Sequence, residues 1–225
     1  MVGHYWLRDP QLSPTSEIKS KIQEEIARIE KSLATGTPLI CIGIGGSVLG
    51  QMLIADYLQS EVPVYFLDNI DPSGIIKVLE KLPQDLSNFK VMVSSKSGST
   101  TETMIGLEIV KQHFISRGYN FAHHAISISC KDSLLDKMAV DEGWSNRFHL
   151  WDFIGGRTSV ASSIGLAPLR ALGGDTSSFL RGMKEMDALC ATSWNDNPSA
   201  QIASLLHDIH THTGSVSIAA LPYRD

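Results

Sequence analysis

Residues 39–50 read LICIGIGGSVLG, and this stretch decides the fold. Its first six residues form a nearly continuous apolar run, the pattern of a strand buried on both faces of a parallel sheet. Two glycines and a serine then open a turn, and a helical pattern follows at once. Residues 90–103, KVMVSSKSGSTTET, repeat the design with a different loop chemistry: an apolar strand, a cluster of serines and threonines around Lys96, then a helix. In an open parallel sheet such loops lie at the carboxyl ends of the strands, where helix N-termini aim free N–H groups at whatever is bound.

Outward from these two stretches, β-rich runs at 39–44, 62–67, 90–94, 125–129 and, more weakly, 147–151 alternate with helical intervals at 49–58, 73–81, 101–116, 133–141 and 160–172. Alternation of this kind predicts an α/β fold, a doubly wound parallel sheet with helices on both faces. An amphipathic helix over 16–34 precedes it, with Ile18, Ile22, Ile26, Ile29 and Leu33 at helical spacing, Ser16 as cap and Gly36 beyond its end. Gly173 and Gly174 interrupt the pattern. Two more helical stretches, 176–190 and 198–211, lead to a β run that opens with GSVSIAALPYRD. The division expected is an N-terminal arm and helix over 1–35, a ligand-binding domain over 36–172, and the start of a second α/β domain over 173–225. A strand followed at once by the last residue is an awkward closing element, so a piece of a longer protein is the expectation.

Composition excludes several classes. The chain has 225 residues, 43% hydrophobic and 19% charged, close to an ordinary folded protein. A formal net charge of −5 provides no basic field for a nucleic-acid backbone or an anionic membrane, so an anion must be held locally. Cys41, Cys130 and Cys190 are odd in number and far apart, which points to a reducing, cytoplasmic setting. No signal-like segment or long apolar span occurs in the sequence.

The loops carry the chemistry. Gly45 and Gly46 let a backbone approach a ligand without a Cβ, and Ser47 is placed to cap a helix or donate to an anion. Hydroxyls packed around Lys96 suit the three oxygens of a phosphomonoester. Neither loop follows a nucleotide-binding pattern, and nothing suggests a base or a magnesium ion. A third stretch, FIGGRTSVASSIGLAPL over 153–169, repeats strand, glycines and small-residue helix with a cation, Arg157, expected at the helix start, where it could stabilise a developing oxyanion. Glu102 opens a helix, so it is read as serving the dipole or pairing with Lys96 rather than as a base. His207 and His210 share a helix face but lack further ligands, so no metal is expected.

Together the three stretches resemble the glucose-6-phosphate isomerase family, whose first sugar-isomerase (SIS) domain carries an IGGSxLG loop, an SKxxxTxET loop and a GGRxSxxSxIGL helix start. HYWLR at the N-terminus and the final LPY are similar to its bacterial members. The resemblance implies a flavodoxin-like three-layer SIS domain that interconverts glucose 6-phosphate and fructose 6-phosphate through a cis-enediol in glycolysis and gluconeogenesis. It implies no cofactor, and a homodimer at full length. It places the substrate phosphate on Ser47, Ser95, Lys96, Ser97 and Thr100, lines the substrate with Gly46, Thr103 and Gly156, and gives Arg157 the enediolate. The family's glutamate base, ring-opening histidine and C-terminal lysine have no counterpart before Asp225, so the chain by itself is expected to lack proton-transfer machinery. Gly98 and Thr101 stand where many eukaryotic members have an aromatic and a glutamine; small residues at these positions are similar to those of bacterial isomerases and of dual phosphoglucose and phosphomannose isomerases. A non-catalytic SIS-domain sugar-phosphate sensor is the rival class, and it has no use for Arg157. An amidotransferase-linked isomerase would need an upstream domain.

Overall fold

A computed structural model describes residues 3–214, 217 and 219. In chain order its helices and strands are α1 (Ser16–Ser32), β1 (Leu39–Ile42), α2 (Leu49–Leu58), β2 (Val64–Leu67), α3 (Pro72–Lys81), β3 (Lys90–Ser94), α4 (Thr101–Ser116), β4 (Ala125–Cys130), α5 (Leu134–Asp141), β5 (Asn146–Leu150), α6 (Ser163–Ala171), α7 (Thr176–Cys190) and α8 (Pro198–Thr213). The five strands pair in parallel in the order β2-β1-β3-β4-β5. That order reverses direction between β1 and β3, the point where doubly wound sheets bind ligands. Ile42 lies opposite Val93, and Ser94 opposite Ile128, so the loops that follow β1, β3 and β4 leave the sheet side by side.

Each face of the sheet is sealed by apolar side chains. On one, Ile40, Ile42, Val91 and Val93 pack with Leu107, Val110 and Phe114 of α4 and with Leu135 and Ala139 of α5. On the other, α6 packs against both α1 and α2, and its Ile164, Leu166, Ala167 and Leu169 are all buried. Ile22 and Ile29 seat α1 here, each contributing about 2 kcal/mol by leaving water.

Local chemistry shifts several expected boundaries. The cap of α1 is Thr15, whose Oγ1 accepts from Ile18 N at 3.2 Å; Ser16 is already helical. Ser47 does not cap α2, because a 3-10 turn over Gly45–Ser47 is interposed. Arg157 likewise sits in a 3-10 turn, Gly156–Thr158, and α6 begins only at Ser163, capped by Ser162. The expected cation at that helix start is therefore six residues upstream of it.

The chain divides into two compact units, Met1–Leu180 and Arg181–Asp225. In the second, Asn197 caps α8 through Ala200 N, and Trp194 Nε1 donates to Ser204 Oγ at 3.0 Å. The β run expected after Gly214, with Leu221–Tyr223, lies outside the continuously described residues. Among the described residues, no helix is long and apolar enough to cross a membrane.

Candidate functional site

Two cavities abut at the carboxyl ends of β1 and β3. The larger, about 570 Å³, is lined by Ser47, Lys96, Ser97 and Thr100 together with the 130–133 segment and Asp152. The other, about 500 Å³, is lined by Gly45, Gly46, Leu49, Gly50, Gly156, Arg157, Ser159 and Val160. Gly46 and Ser47 are consecutive, so the β1–α2 turn is the partition between the cavities.

Lys96 is half anchored. Its Nζ donates to Asp152 O at 2.9 Å and Ile154 O at 3.1 Å, which leaves one of its three N–H donors for a ligand. The same two bonds tie the loop after β3 to the segment after β5 that carries Arg157. Arg157 itself is exposed and makes no hydrogen bond or ion pair with another described residue.

Gly46 and Gly156 meet backbone to backbone. A Cβ at Gly46 would lie 2.4 Å from Gly156 O, so no side chain fits. Ser159 Oγ stands 3.0 Å from Gly46 O and 2.8 Å from Gly156 O, and its single proton is shared between the two carbonyls. Behind this seam Gln51, fully buried, donates from Nε2 to Ser47 O and to Ser94 Oγ at 2.9 Å, fixing Ser47 against the end of β3. Gln51 carries no loop motif, and sequence reasoning missed it.

Not every expected residue reaches a cavity. Ser95 is buried; its Oγ accepts from Gly98 N at 3.1 Å and bonds Thr100 Oγ1 at 3.2 Å, so it shapes the loop from within. Thr103 is buried in α4 and lines neither cavity. Gly98 is left-handed at φ +70°, and a Cβ there would lie 2.2 Å from Leu135 N. Its small size is thus demanded by packing against α5. Glu102 occupies the first turn of α4 and forms no pair with Lys96. Among the described residues no group of three or more His, Cys, Asp or Glu is placed to hold a metal ion.

The wall formed by Cys130, Asp132, Ser133 and Asp152 was also missed. Burial, and then the neighbouring Asp152 carboxylate, push the Cys130 thiol above its ordinary value, and its Sγ donates to Asp152 Oδ1 at 3.7 Å. Asp136 supports this wall from the core. Burial pushes its carboxyl up, but the Asp132 N–H, His149 and Arg147 outweigh that and hold it below the usual range. The network continues through His149 N, which donates to Glu25 Oε1 at 2.7 Å, and Glu25 pairs with Arg28.

A family model described as phosphoglucose isomerase matches residues 16–225. The chain belongs to the phosphoglucose isomerase family. It is 40% identical over 242 residues to the glucose-6-phosphate isomerase of Nostoc punctiforme, covering all of this chain and 46% of that protein. The glucose-6-phosphate isomerase of Geotalea daltonii is 38% identical with the same coverage. Among solved structures, a glucose-6-phosphate isomerase from Chlamydia trachomatis superposes with a TM-score of 0.80 at 28% identity, over 93% of this chain and 42% of that one. This member of the phosphoglucose isomerase family thus spans about half the length of the curated relatives it matches.

Proposed function

We propose that this chain holds the phosphate of a six-carbon sugar phosphate in the Lys96 cavity, as part of an enzyme that interconverts glucose 6-phosphate and fructose 6-phosphate. The observation that carries this reading is the convergence of Ser47, Lys96, Ser97 and Thr100, from loops of two adjacent parallel strands, on one cavity. In this reading the remaining Lys96 donor and the three hydroxyls bind phosphate equally in ground and transition states. The sugar then extends past Gly46 and Gly156 toward Arg157, whose guanidinium stabilises the enediolate oxygen as charge develops. Ser95 acts through the shape of its loop.

Moving a proton between C1 and C2 requires a general base. Among the described residues no carboxylate or imidazole lines the Arg157 cavity, which supports a base supplied from elsewhere in the protein. The compact unit that starts at Arg181 supports a second domain beyond the sugar-phosphate-binding one. The whole protein is read as a cytoplasmic homodimer, and three free cysteines support the reducing compartment.

The test is a coupled isomerase assay with fructose 6-phosphate beside a calorimetric titration of the chain with 6-phosphogluconate. Binding without turnover is expected, weakened at least about tenfold by Lys96→Ala as a charge-assisted bond is lost. An unchanged affinity in that variant refutes the phosphate site. Turnover by the chain itself refutes the external base.

A further inference from the structure

The third wall of the Lys96 cavity is the 130–133 segment between β4 and α5, and it is built into the site. Cys130 N donates to Lys96 O at 3.0 Å, and Leu134 N donates to Ser97 O at 3.3 Å, so two backbone bonds stitch it to the Lys96 loop. Between these stitches Asp132 adopts φ +61°, a left-handed conformation in a residue that has a Cβ. Such a conformation persists only where the surroundings over-determine it. Here Asp132 N donates to Asp136 Oδ2 at 2.9 Å, and Asp136 is buried and paired with Arg147 at 3.0 Å and His149 at 3.3 Å.

The side chains on this wall differ in what remains free. The Cys130 thiol is committed to Asp152, and Ser133 Oγ accepts from Asp136 N at 3.2 Å. Lys131 is exposed, lines the cavity, and makes no hydrogen bond or ion pair with another described residue. Charge makes its position matter. Asp132 and Asp152 both line the cavity, so without Lys131 a single ammonium, Lys96, would face two carboxylates. A dianion would then enter a field of its own sign. Lys131 restores the balance and supplies three unclaimed donors.

We propose that Lys131 is a second cationic contact for the phosphomonoester dianion bound at Lys96. This rests on the phosphate-site reading above and adds the residue that offsets the cavity's own carboxylates. The test titrates inorganic phosphate against the chain at low and at high salt, with Lys131→Ala, Lys131→Arg and Lys96→Ala in parallel. Lys131→Ala is expected to raise the Kd about fivefold at low salt, the scale of one exposed charge contact. The gap should narrow at high salt as the exposed charge is screened, and arginine should restore affinity. Because Lys131 is exposed and makes no hydrogen bond or ion pair with another described residue, its variants should melt with the parent chain. Wild-type affinity in Lys131→Ala alongside weakened binding in Lys96→Ala overturns this inference and leaves the phosphate site standing. Undiminished binding in both variants overturns the site together with the inference.

Discussion

Replacing Gly46 by alanine tests whether the seam between the two cavities is as tight as its geometry requires. The added Cβ would meet Gly156 O at 2.4 Å, Gly156 C at 2.5 Å and Gly156 Cα at 2.8 Å, all backbone atoms that cannot swing aside. Ordinary van der Waals contact begins near 3.4 Å, so the turns must part by about 1 Å. Parting them also strains the Ser159 hydroxyl, which holds both carbonyls. Overpacking of this kind costs about 2 kcal/mol. For a chain of this length that is a fall in melting temperature of about 4 to 8 °C, read by circular dichroism. Because Arg157 follows Gly156, the same displacement should lower the isomerase rate about a hundredfold in the whole enzyme. Gly156→Ala is the internal control: its Cβ would lie 3.8 Å from Gly46 Cα, an ordinary contact, and stability should change by less than about 0.5 kcal/mol. A parent-like melt for Gly46→Ala, or a costlier Gly156→Ala, would refute the reasoning.

Lys96→Ala should raise KM through the lost phosphate contact and also lower kcat, since Nζ holds the two carbonyls of the segment leading to Arg157; an unchanged kcat in the isomerase assay would separate anchoring from catalysis. Asp136→Asn should destabilise the fold by about 2 kcal/mol at neutral pH, because its partners Arg147 and His149 are only partly buried. Its carboxyl is held below its ordinary value of 3.8, so its stabilisation is complete above that pH and disappears as pH falls through the lowered folded value. Acid melts of parent and variant should therefore converge at the lowest pH. Gly98→Ala should be far costlier than Gly36→Ala, since both are left-handed but only Gly98 faces a backbone atom, Leu135 N at 2.2 Å; comparable melts would contradict this. Cys41 is fully buried and burial pushes its thiol far up, so it should resist alkylation at pH 8 until the chain unfolds, as mass spectrometry of the labelled protein would report.

The sheet was legible because its strands are locally simple. LICI and KVMVS are short apolar runs, and they became β1 and β3 in adjacent, aligned positions. The ends of α2, α4 and α7 fell where periodicity placed them. The start of α6 was less legible, because Ser159, Ser162 and Ser163 are equally good caps on paper and only the turn after Gly156 selects Ser162. In the site, Gly- and Ser-rich loops advertise themselves by composition, whereas Lys131, Asp152 and Gln51 sit in ordinary sequence. They reach the cavity or its support because β4 runs beside β3, the segment after β5 returns to the Lys96 loop, and the first turn of α2 meets Ser94 at the end of β3, which are facts of topology rather than of local pattern. The Glu25–His149–Asp136 network joins residues up to 124 apart, beyond any windowed reading.

The segment after β5 has to travel. β5 is an edge strand of the described sheet, two places from β3 and three from β1, yet its following residues touch Gly46 beyond β1 and accept from Lys96 beyond β3. It therefore works as a strap across the carboxyl ends of four strands, drawn from an edge of the sheet. A refolding chain in which β1, β3 and β4 have paired but β5 has not docked would hold the Lys96 loop without its anchor. Phosphate affinity should then emerge only with the final strand, making ligand binding a clock for the completion of the fold rather than for its collapse.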